Sequence, residues 1–125
     1  MRALEQQFIW KQLGRIWVTK LVRDKIPAIM LENKKQAITE NVENTDYAVA
    51  LWSKFREECI ELEEAIEEGA PREEIVDEIA DVITVLEALS RNVFKANIAT
   101  IIEEKLNESG GFEQGVILKG FEWIA

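Results

Sequence analysis

Residues 51–94 read LWSKFREECIELEEAIEEGAPREEIVDEIADVITVLEALSRNVF. Apolar residues recur at helical spacing on both sides of Gly69-Ala70-Pro71. Before it, Ala48, Leu51, Trp52, Phe55, Cys59, Leu62 and Ile66 line one face of a helix from about residue 45 to 68, capped by Asn44 or Thr45. After it, Ile75, Ile79, Val82, Leu86, Leu89 and Val93 line a second helix from residue 71 to about 94. Glycine ends the first helix and proline opens the second. So short a link makes the two helices antiparallel neighbours.

The same stretch carries a carboxylate spacing. Glu58-x-x-Glu61 is followed, after 16 intervening residues, by Glu78-x-x-Asp81. Residues three apart on a helix stand about 60° apart around its axis, so each pair shares a face. Antiparallel packing sets the two pairs at matching heights from the turn. Four carboxylates aimed at one point repel unless a cation holds them, which predicts a metal site at Glu58, Glu61, Glu78 and Asp81. Asp81 heads the apolar run Val82-Ile83-Thr84-Val85-Leu86, a costly place for an unpaired charge. The competing pair Glu74-x-x-Asp77 lies nearer the turn and reads as solvated, and a solvated face is the bland alternative for the whole set.

Composition narrows the chemistry. The 125 residues fit one domain and carry a net charge of −9. Residues 57–81 hold 12 of the 24 Asp and Glu against a single base, Arg72. Such a surface repels nucleic acid and attracts divalent cations. With no histidine, a His-ligated zinc or a Ser-His site is excluded. Oxygen ligands alone favour Mg²⁺, Mn²⁺ or Ca²⁺. A single cysteine, Cys59, forms no intrachain disulfide and fits a reducing cytoplasm. No apolar run is long enough for a membrane span, and the first fifteen residues lack a signal-peptide core.

Carboxylate-held divalent ions commonly serve phosphate chemistry, which also needs a base near the attacking water. Glu57 is a candidate, against a simpler reading as a surface glutamate. Lys54, one turn before Glu58, could reach a phosphate or form an i,i+4 ion pair with Glu58. The four tryptophans, at 10, 17, 52 and 123, are read as packing residues rather than base-stacking platforms.

The rest is read more coarsely. Residues 1–15 form an amphipathic helix, residues 16–19 a short strand, residues 27–33 a short helix, and residues 34–44 a loop. A further helix covers about residues 96–108 and breaks at Gly110-Gly111. Val116-Ile117-Leu118 reads as a strand able to pair with residues 16–19. The fold expected is an all-α helical bundle built on the antiparallel hairpin, with at most this minor two-stranded β element. The long helices are apolar over a wide arc with few elements to cover them, so the bundle is expected to be completed by oligomerisation.

Three stretches resemble the MazG-type all-α nucleotide pyrophosphohydrolases, a superfamily that includes phosphoribosyl-ATP pyrophosphohydrolase. KLVRDKIP at 20–27 looks like the opening of one branch. KFREECIEL at 54–62 with EIADV at 78–82 looks like the metal-binding signature. Lys105 through Gly110-Gly111-Phe112, then Gly115-Val-Ile-Leu118, resembles the closing motif, although Ser109 stands where many relatives carry a basic residue. The resemblance covers about residues 20–118 and makes residues 20–125 the enzymatic domain, with residues 1–19 as an extension. It implies Mg²⁺-dependent cleavage of a nucleoside triphosphate between the α and β phosphates, to monophosphate and pyrophosphate. Glu58, Glu61, Glu78 and Asp81 would hold the ion and Glu57 would be the base. Lys54 and Lys105, and more weakly Arg23 and Lys25, would contact phosphates. A homodimer or homotetramer is implied, with the nucleotide near the subunit interface. Phosphoribosyl-ATP as substrate and a non-catalytic helical interaction module stand as alternatives.

Overall fold

The computed structural model describes residues 19–125. The helix expected over 1–15 and nearly all of the strand over 16–19 lie outside them. Among the described residues there are four α-helices and no strand: α1 (Ile26–Glu32), α2 (Asn44–Glu67), α3 (Arg72–Ala88) and α4 (Ile98–Ser109). The architecture is all-α. The expected strand at 116–118 is corrected to irregular backbone with Val116, Ile117 and Leu118 exposed. Three β-prone residues without a partner ladder leave their backbone groups to water, which gives no net reason to extend.

The main packing is α2 against α3. Their link is a helix stop followed by a helix start. Gly69 takes φ +68°, its N–H bonds the Ile66 carbonyl at 3.1 Å, and Ala70 N–H bonds the Ala65 carbonyl at 3.0 Å. These two bonds are a Schellman closure, and the left-handed residue it requires is most cheaply a glycine. Pro71 then caps α3, its carbonyl accepting from the N–H groups of Glu74 and Ile75. Away from the link, Asn92 Nδ2 donates to the Tyr47 hydroxyl at 2.9 Å and ties the start of α2 to the end of the second helical segment.

The start of α2 differs from expectation. Its N-cap is Glu43, without a side-chain capping bond, and Asn44 is already inside at φ +52°. The second helix also does not run unbroken to residue 94. It ends at Ala88 and continues as a π-helical turn, Leu89–Val93, in which Phe94 N–H reaches back five residues to the Leu89 carbonyl. Thr84 and Ser90 hydroxyls bond the carbonyls of Ala80 and Leu86 at 2.8 and 2.7 Å. Such back-bonding competes for helix carbonyls and loosens the turn that follows. After it, Asn97 caps α4 by accepting from Thr100 N–H.

Leu51, Ala65 and Val85 are the buried apolar residues at the α2–α3 seam. On α2, Leu51, Glu58 and Ala65 are spaced by seven, two helical turns apart, so one buried stripe runs straight through a glutamate. Trp52 stacks on Phe55 at 5.2 Å beside that stripe but remains 51% exposed.

Candidate metal and phosphate site

The α2–α3 seam brings the carboxylates together. Glu58, Glu78 and Asp81 each offer one oxygen, and these lie within 4.8 Å of one another. Oxygens bound to one ion stand at most about twice the metal–oxygen distance apart, ~4.2 Å for Mg²⁺ and ~4.8 Å for Ca²⁺. The fourth acid, Glu61, lies outside that trio but within its field. Burial, then the charges of Glu58, Glu78 and Glu57, and a hydrogen bond with Glu58, push its pKa up to about 7. Glu74 and Asp77 are exposed, as a solvated pair should be.

Depth is distributed differently from the sequence expectation. The deep carboxylate is Glu58, whose side chain is 7% exposed, whereas that of Asp81 is 39% exposed. Heading an apolar run along the chain does not place Asp81 inside, because successive residues point around the helix and the seam crosses α3 through Glu78 and Val85. Glu58 Oε1 takes the Lys54 ammonium at 2.8 Å, while its Oε2 is buried without a hydrogen bond. An orphaned anionic oxygen at that depth is unfavourable on its own. A hard cation is what an all-oxygen donor set accepts, so these residues could hold a divalent ion of the Mg²⁺, Mn²⁺ or Ca²⁺ kind.

Cations pair with these acids directly. Lys54 Nζ contacts Glu57 Oε1 at 3.5 Å as well as Glu58. Burial works to lower the Lys54 pKa, but the hydrogen bond to Glu58 and the charges of Glu57 and Glu58 outweigh it and raise the value, so the ammonium stays charged. Both expected roles of Lys54 thus start from one geometry: it is ion-paired in place, at the wall of a cavity. Lys20 Nζ lies 3.7 Å from Glu57 Oε1, and Arg23 Nη2 donates to Asp81 Oδ1 at 2.7 Å. The cavity, about 250 Å³, has Val22 and Ile26 among its walls, Lys20, Arg23 and Lys54 as its basic groups, and Glu58 and Asp81 as its acidic ones.

The remaining candidates are not gathered there. Lys25 is the exposed N-cap of α1, and Lys105 is exposed on α4; neither lines this cavity. Lys20 is the residue that sequence reading passed over. Its signal was its place at the head of KLVRDKIP, three residues before Arg23. Cys59 is half-buried and unbridged on α2. No helix among the described residues is long and apolar enough to cross a membrane.

No protein-family profile, no curated protein and no solved structure matches the chain.

Proposed function

We propose that this chain is a divalent-cation-dependent nucleoside triphosphate pyrophosphohydrolase, cutting between the α and β phosphates. The observation that supports this most is Glu58: a buried carboxylate with an orphaned oxygen, set among Glu78 and Asp81, at a small cavity that Lys20, Arg23 and Lys54 also line. Carboxylates and cations lining one cavity match the two needs of a metal–phosphate ligand. The choice of the α–β bond comes from the resemblance of residues 20–27, 54–62, 78–82 and 105–118 to the MazG-type enzymes.

Glu58, Glu61, Glu78 and Asp81 would hold Mg²⁺, or Mn²⁺ in its place. When bound, such an ion would supply positive charge to offset that of the phosphates. Lys54 keeps its proton and holds Glu57 and Glu58 in position. Glu57 accepts the proton of the attacking water as its oxygen bonds to the α phosphorus, and pyrophosphate leaves with the electrons of the broken P–O bond. A cavity of about 250 Å³ is below the ~300–1,000 Å³ usual for small-molecule pockets. It suits the phosphates and leaves base and ribose to another surface. A second copy of the chain would supply that surface: the α2–α3 pair acts as an antiparallel hairpin, and a homodimer or homotetramer covers the apolar sides that α3 and α4 leave exposed.

The test is pyrophosphate release from a panel of canonical and modified nucleoside triphosphates and phosphoribosyl-ATP, with Mg²⁺ and with EDTA. The expected result is Mg²⁺-dependent release with monophosphate as co-product. Glu61→Gln and Asp81→Asn should each lower the rate by about 100-fold or more while helical circular dichroism is unchanged. Turnover of none of these compounds, or full activity in both variants, sinks the reading.

A further inference from the structure

Asp81, a half-exposed member of the carboxylate trio, is held by a guanidinium. Arg23 reaches it across 58 residues of chain. It comes from the irregular segment 19–25 ahead of α1, not from either helix that carries the acids. The same segment sends Lys20 to Glu57. Glu57, Glu58 and Asp81 pair with Lys20, Arg23 and Lys54, and Glu61 and Glu78 lie within the same carboxylate cluster. With all five acids ionised, the site carries two excess negative charges, the charge of one divalent ion.

The geometry points to an exchange of partners. Resting on the metal–phosphate reading above, we infer that Arg23 is a phosphate-contact residue stored on a metal ligand: it occupies Asp81 while the cation is absent, and passes to the phosphate oxygens when Asp81 turns to the cation. Three observations carry this. Arg23 occupies Asp81 Oδ1 at 2.7 Å, and Asp81 also gives an oxygen to the carboxylate trio. Arg23 lines a cavity together with Glu58 and Asp81, so a phosphate there is within its reach. Finally, a guanidinium carries five donors in a fixed fork and its pair with Asp81 is half in solvent, with side chains 55% and 39% exposed, so it exchanges at little cost. Lys20, on the same segment, would move with it and release Glu57 from one of its two ammonium partners.

The exchange has an opposite-sign signature. Arg23→Met removes a competitor for Asp81, so Mn²⁺ alone should bind about three- to fivefold more tightly, read from the free-Mn²⁺ EPR signal. It also removes a phosphate contact, so methylenediphosphonate added to the Mn²⁺-loaded protein should bind about tenfold more weakly by calorimetry. Arg23→Lys keeps a competing charge and should leave Mn²⁺ affinity near that of the unaltered protein. Unchanged or weaker Mn²⁺ binding in Arg23→Met overturns the inference, as does tighter Mn²⁺ binding with unaltered diphosphonate affinity. Absence of Mn²⁺ binding in the unaltered protein instead overturns the metal reading on which it rests. Arg23 is exposed and outside the helices, and circular dichroism confirms that each variant folds.

Discussion

On α2, Leu51, Glu58 and Ala65 form a buried stripe, whereas on α3 Val76, Ile79, Ile83 and Leu86 are 39–51% exposed. The two regions break opposite rules of polarity. Burying a carboxylate with an orphaned oxygen costs stability, and leaving isoleucines in water forgoes it. Neither region is what stability of a lone chain would select, and the difference shows what each lacks. The seam is short of positive charge at one point, which a small cation would supply. Among the described residues the outer face is short of apolar cover over several turns, which a second protein surface would supply. α4 repeats the outer pattern with Ile98, Ile101, Ile102 and Leu106, 37–51% exposed.

The largest expected effect separates the two regions by charging the outer one. Ile79 and Ile83 are four apart on one face of α3. Replacing both with lysine should convert a dimer or tetramer into a monomer at micromolar concentration, a weakening of at least ~100-fold, because each buried isoleucine contributes about 1.5–3 kcal/mol. Light scattering after gel filtration reads this directly. If the unaltered chain is itself monomeric at high micromolar concentration, the outer stripes have no such cover and the contrast needs another explanation.

The next effect inverts the seam. Glu58→Leu continues the stripe of Leu51 and Ala65 and removes the orphaned oxygen. In EDTA it should raise unfolding stability by about 1 kcal/mol, measured by urea titration, and it should abolish Mn²⁺ binding. Lys54 keeps Glu57 as its partner in this variant, so no ammonium is stranded. A loss of stability would mean that Lys54–Glu58 is a structural pair first and a metal site second.

Much of this contrast can be read from residue order. Gly69-Ala70-Pro71 announces a stop and a start because left-handed φ and a missing N–H are properties of single residues. The acid pairs are legible for a similar reason, since three-residue spacing sets a helical face without reference to any partner. What escapes is whatever depends on how α2 and α3 roll against each other. That roll puts Glu58 inside and Asp81 near the surface, although flanking residues suggest the reverse for Asp81. Arg23 and Lys20 reach the seam through the fold of segment 19–25, which has no periodicity to read. The π turn at 89–93 depends on Ser90 choosing the Leu86 carbonyl, one hydrogen bond among several it could form. Val116-Ile117-Leu118 has strand composition but no ladder among the described residues, because a strand is a property of pairs.

The smallest effect is a pH dependence confined to the seam. Glu61 titrates near 7 in the folded protein, against an ordinary value of 4.5. The native state therefore holds this proton more tightly than the unfolded chain does. The stability it contributes is complete below about pH 4.5 and is lost as pH rises through 7. In EDTA, the urea midpoint of the unaltered protein should fall between pH 5 and pH 8, and the fall should be smaller in Glu61→Gln, which carries no titrating proton at that position. Mg²⁺ should raise the midpoint of the unaltered protein more at pH 8 than at pH 5, because proton and cation compete for the same crowded carboxylates. Ile79→Lys with Ile83→Lys should leave the Glu61 part of this profile in place, since the outer face has no part in crowding the seam. Equal pH profiles for the unaltered protein and Glu61→Gln would mean that Glu61 does not feel Glu58 and Glu78, and the convergence of charge on which the seam's half of the comparison depends would be lost.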